Sequence, residues 1–138
     1  MSQFLPSQAS PHTLTFAPCQ IVCLEYQAQR LYGEVIQTVE AKHICWVRPL
    51  VLTEVTDALL AGDAIANDGF YDLRECSDLL LPLQLFRAAL DTEVMPLLMH
   101  LGPQSPATPT PLRSQHNQQM QHFVRQVCLA HPEAFVSR

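Results

Sequence analysis

Two groups of residues in this chain have side chains whose types and spacing could do chemistry. The first is Cys19, Cys23, His43 and Cys45. Zinc takes four thiolate, imidazole or carboxylate ligands at about 2.0–2.3 Å around one point. On a strand over 19–26, Cys19 and Cys23 share a face but sit about 13 Å apart at roughly 3.3 Å per residue. A turn at Pro18–Cys19 would have to fold the first thiol back, and His43 and Cys45 share a strand face of their own. Against this stands a simpler assignment, in which the thiols are small buried hydrophobes and His43 ends a hairpin. The second group is Asp72, Arg74, Glu75 and Asp78, with Tyr71 beside them. Paired carboxylates do acid–base work when their surroundings push their pKa values apart. On a strand, however, Asp72 and Arg74 face the same way, which predicts an ion pair fixing the loop before a helix. There is no G-x-S-x-G, and no catalytic residue, metal or cofactor is assigned.

Two further features suit contact rather than catalysis. Trp46 and Arg48 stand two apart in ICWVRPL and so share a strand face; Trp and Arg are enriched where interfaces concentrate binding energy. Near the C-terminus Met120, Phe123, Val124 and Val127 form a narrow apolar stripe at helical spacing. Such a stripe docks on its own domain, on a second copy, or in another protein's groove. These six residues are the candidate partner-binding positions. The leucine-rich stretch LLLPLQLF is apolar on nearly all sides, and self-association would cover it.

The elements that must position these residues follow from pattern. Residues 1–18, with Pro6, Pro11 and Pro18, read as an arm whose TLTF (13–16) could form one short edge strand. Residues 20–26, 30–39 and 43–52 are rich in residues that fit a pleated surface, and the gaps between them are of hairpin length. They predict an antiparallel meander, with one face of the middle strand buried and the other mixed. Thr53 would cap a helix over 53–61, and Asp68–Gly69 opens a fourth strand over 70–75. From Leu79 the spacing of Leu83, Phe86 and Leu90, continued by Val94, Leu97, Leu98 and Leu101, predicts two short helices or one kinked at Pro96. Gly102–Pro103 stops it. The expected organisation is an arm (1–18), an α+β domain (19–102), a proline-rich linker (103–113), an amphipathic helix capped by Ser114 (114–131) and a tail (132–138). The fold class is α+β: a small antiparallel meander, or an SH3-like partial barrel, with C-terminal helices.

Composition narrows the function. The chain has 138 residues, 48% hydrophobic and 15% charged, with net charge −5, too apolar for disorder. Four glycines, none in a G-x-G-x-x-G, leave no phosphate-cradling loop. Residues 54–93 hold nine acids and two arginines, so the middle of the chain faces water or a basic partner. Tyr26, Tyr32 and Trp46 lack surrounding positive charge, which argues against nucleic acid. Five cysteines without disulfide spacing, no secretory signal at the N-terminus and no uninterrupted apolar span predict a cytoplasmic protein without a membrane span.

The strings HICWVRPLVL (43–52) and YDLRECSDLLLPLQLFRAALDTEVMPLL (71–98) resemble short uncharacterised proteins predicted in cyanobacterial genomes. That resemblance implies an accessory or regulatory role in a lineage-specific complex and names no site residue. The function expected is a non-enzymatic interaction or accessory module, acting through a sheet face and a tethered C-terminal helix on a protein partner or on itself as a homo-oligomer. The alternative is a small metal-dependent or acid–base enzyme built on the thiol or carboxylate group.

Overall fold

The computed structural model describes residues 15–55, 69–103 and 110–135. Strands β1 (Ile21–Tyr26), β2 (Gln29–Val39) and β3 (Ile44–Glu54) form the expected meander. β1 and β2 are joined by a two-residue turn in which Gln27 takes φ 54°. A short 3-10 turn over Glu40–Lys42, closed by His43 in the left-handed region, joins β2 to β3. All pairings are antiparallel. The outer side of β3 serves two short strands: β4 (Phe70–Asp72) pairs with residues 51–53, and β5 (Leu79–Pro82) with residues 44–47. β6 (Arg87–Ala88) flanks β1 at the opposite edge. The sheet order is β4-β3-β2-β1-β6 and the sheet stays open, so the meander is the form of α+β fold adopted.

Both faces of the sheet are covered in part, in line with the buried and mixed faces expected of β2. Leu31 and Val35 point to a first core with Val22, Leu24, Val47 and Leu52. Tyr32, opposite Val51 in register, points to a second with Cys23. Two helices provide the covers. Helix α1 (Asp91–Leu101) lays Val94 and Leu97 on the second face. Helix α2 (Thr110–Ala130) lays Met120, Phe123 and Val127 on the first. The layers are therefore helix, sheet, helix, and the side-chain alternation of a strand sends consecutive apolar residues to different cores. Among the described residues no helix is long and apolar enough to cross a membrane.

Several sequence expectations are corrected. Of the edge strand expected over 13–16, residues 13–14 lie outside the described residues, and Thr15 and Phe16 are not strand; Phe16 is buried in the first core. Thr53 caps no helix, because it lies in β3 opposite Arg30 and Phe70; residues 56–61 of that expected helix lie outside the described residues. Residues 79–90 are strand, 3-10 turn and strand, not helix. The unpaired edge of β3 at residues 44–47 takes up Leu79–Pro82, and Pro82, which has no N–H to give a ladder, ends the strand. Leu81 then faces the first core while Leu80 is exposed, the period of two that a strand imposes. Residues 91–101 form one helix that contains Pro96, and Gly102 ends it at φ 78°. Helix α2 begins at Thr110, four residues before Ser114, with Pro111 in the first turn, where its missing N–H costs nothing. It ends at Ala130, just before His131–Pro132, and Pro132–Phe135 form a further 3-10 turn.

Candidate interaction face

Helix α1 crosses only one end of the second sheet face. Glu93 near its start meets Arg30 and Tyr32 of β2, while His100 near its end packs edge-on against Phe70 of β4, with ring centroids 4.6 Å apart. The other end of that face carries Trp46 and Arg48 on β3 and Leu80 on β5. Register sets Trp46 between Gln37 and Leu80, and Arg48 opposite Glu34. Trp46 is 36% exposed and Leu80 65%, so a large aromatic and its aliphatic neighbour meet solvent side by side on a rigid sheet.

Asp78 fixes this arrangement. The β3–β5 register, continued by one residue, sets Asp78 opposite Arg48 and diagonal to Trp46. The Trp46 indole Nε1–H donates to Asp78 Oδ2 at 2.9 Å, and Arg48 Nε lies 3.9 Å from Oδ1. The ion pair is loose and exposed, so it adds little stability. The indole bond matters more, because it orients the ring before anything binds. Asp78 thus belongs with Trp46 and Arg48, not with the acidic group in which the sequence places it.

The C-terminal stripe is used within the molecule. Met120, Phe123 and Val127 are each 1% exposed in the first core, and Val124 is half-buried beside them. Of the three places the sequence left open for this stripe, its own domain is the one that covers it, so Met120, Phe123 and Val127 are not exposed partner-binding positions. An exposed helix of this polarity would gain little from folding alone, whereas the sheet offers it an apolar face.

The remaining acidic residues have structural partners. Arg74 NH2 meets Asp72 Oδ2 at 2.8 Å, and its other N–H groups reach Asp72 and the carbonyls of Leu101, Gly102 and Pro103. All five guanidinium donors are engaged, and Arg74 ties the C-terminal end of α1 to β4. Burial works against the charge on Asp72, but the bonds from Arg74 outweigh it and hold this carboxyl below the usual range. Glu75 pairs with Arg113 at 3.3 Å, and His116 Nδ1 donates to the Asp72 carbonyl at 2.9 Å. The four thiol and imidazole candidates do not converge. Cys23 lies in the second core, Cys45 in the first, Cys19 is exposed, and His43 closes a turn. Burial pushes the thiols of Cys23 and Cys45 up to about 12 and about 11. No group of three or more His, Cys, Asp or Glu among the described residues could hold a metal ion.

One polar cluster is not foreseen from sequence. Glu93 receives Arg87 through NH1 at 2.7 Å and NH2 at 2.9 Å, the Tyr32 hydroxyl at 2.5 Å, and the Leu90 backbone N–H at 2.7 Å. Arg87 also bonds Glu25 through Nε and NH2, and Arg30 reaches both glutamates. The hydrogen bonds from Arg87 outweigh burial and hold Glu93 down at about 2. Burial, then the bond to Glu93, raises the Tyr32 hydroxyl. The local signal was the glutamate three residues after Leu90, the spacing at which a side chain reaches back to a helix's first N–H. A depression of about 310 Å³ adjoins Glu25, Arg87 and His131. Arg87 has no spare N–H to offer a ligand there, because the Ala88 carbonyl takes the last.

Comparison with protein-family models, curated proteins and solved structures returned no match for this chain.

Proposed function

We propose that this chain is a non-catalytic protein-interaction module whose contact surface is the open half of the second sheet face, centred on Trp46 with Arg48 and Leu80. The observation that carries the reading is the exposed Trp46 ring, fixed by Asp78 against Leu80. A rigid aromatic anchor loses little entropy on binding, and Trp and Arg dominate binding energy at interfaces. The partner is a protein and not a nucleic acid, since Arg48 is the lone cation of the β3–β5 patch and the chain carries −5 overall. Five free thiols support a cytoplasmic setting. The resemblance to short cyanobacterial proteins fits an accessory subunit.

A photoreactive residue placed at position 80 tests this in the full chain, with position 129 on the outer face of α2 as control, Leu129 being 75% exposed. One discrete adduct is expected from position 80 and none from position 129. Trp46→Ala should cut that adduct about tenfold or more, the effect of removing a binding anchor. Equal adducts at both positions, no adduct, or an adduct indifferent to Trp46→Ala would overturn the proposal. Light scattering on the purified chain then separates a second copy from a different protein.

A further inference from the structure

The two cores differ in size and in what closes them. The first holds fifteen buried residues, none of them from α1. The second holds five, of which α1 supplies Val94 and Leu97. Leu98 and Leu101 pack half-buried at its edge and His100 meets Phe70 edge-on, while the polar hold sits at the two ends of α1: Glu93 on Tyr32, Arg87 and Arg30, and the last carbonyls on Arg74. At eleven residues with an internal proline, α1 is too short to stay helical away from the sheet. Lifting it therefore releases chain entropy and leaves the larger core untouched.

We propose that α1 is a releasable strap, which opens from the second sheet face while the sheet and α2 remain folded, and so uncovers Cys23, Tyr32 and Val51. Native proteins open in such contiguous units, the least buried first. The surface uncovered adjoins the Trp46 half of the same face along β3. Strap opening thus changes how much apolar sheet is presented, whatever the partner.

The chain carries its own reporters, one buried thiol in each core: Cys23 in the core that α1 covers and Cys45 in the larger one. The full chain is exposed to a slow alkylating reagent across a urea series below the unfolding transition, and each site is followed by mass spectrometry. Cys23 should react at least about tenfold faster than Cys45, with a clearly shallower urea dependence, since strap opening exposes less surface than unfolding. Glu93→Ala should speed Cys23 at least about thirtyfold, the factor expected when its charge-assisted bonds to Arg87 and Arg30 are lost together; direct access to the thiol through the neighbouring depression would leave it unchanged. Val127→Ala should speed Cys45 by about the same factor and leave Cys23 unchanged, because the opened form keeps the α2 contacts. Equal urea slopes, equal response of both thiols to Val127→Ala, or no response of Cys23 to Glu93→Ala would overturn the strap. Should Val127→Ala not fold, the urea slopes of the unaltered chain decide alone.

Discussion

Replacing Glu93 by Gln removes one charge and almost no volume at the point where α1 meets the sheet. Gln keeps one acceptor, enough for either the Leu90 N–H or the Tyr32 hydroxyl, which bond different carboxylate oxygens, and it loses the ionic part of the contacts with Arg87 and Arg30. The Glu93 side chain is only 15% exposed, so solvent screens these contacts weakly. A carboxyl held at about 2 in the folded chain against an ordinary 4.5 in the unfolded one corresponds to about 3 kcal/mol of stability at neutral pH. The sign follows from the lowered value: the contribution is complete above pH 4.5 and disappears as pH falls towards 2. Urea unfolding followed by far-UV circular dichroism gives the stability of both proteins at each pH. The unaltered chain should exceed Glu93→Gln by about 2–3 kcal/mol at pH 7, and by less than half of that at pH 3. Glu25 and Asp72, whose carboxyls are also lowered, titrate in both proteins and largely cancel in the difference. A gap that stays constant between pH 6 and pH 3, or one below about 0.5 kcal/mol at pH 7, would refute the reasoning and reduce the cluster to a surface ion pair.

Two other substitutions test the packing. Phe123→Ala should cost about 3–5 kcal/mol, a large part of the ~5–15 kcal/mol typical of a domain; an unfolding midpoint that barely moves would show α2 to be an appendage. Gly33→Ala would set a methyl carbon 2.3 Å from Val47 Cγ1 and 2.9 Å from the Arg48 carbonyl oxygen. It should therefore destabilise by about 1–3 kcal/mol in the same unfolding assay, and unchanged stability would mean that β3 moves aside freely.

Local pattern was enough for the meander, because strands 20–26, 30–39 and 43–52 carry β-branched and aromatic residues between gaps of turn length. It was enough for the end of α1 at Gly102 and for the end of α2 before His131–Pro132, since these stops are backbone chemistry written in adjacent residues. The Asp72–Arg74 ion pair was legible because its two members lie two apart in sequence, although the strand expected over 70–75 ends at Asp72 and Arg74 stands in the turn that follows. The segment 79–90 was not. Its leucines satisfy a helical spacing and a strand equally, and the open edge of β3, more than thirty residues earlier in the chain, decides between them.

The candidate site divides along the same line. That Trp46 and Arg48 share a face is a property of strand geometry and needs no fold. That their face is open, while Met120, Phe123 and Val127 are closed against a sheet, depends on which helix lands on which side. Asp78 beside Trp46, and Glu25, Arg30, Tyr32 and Arg87 around Glu93, come from separate strands and a helix. Sequence alone fixed the periods, the turns and the stops, which are set within a few residues. Only tertiary structure chose the partners of the charged groups and the faces left bare, because those depend on residues brought together by sheet register and helix docking.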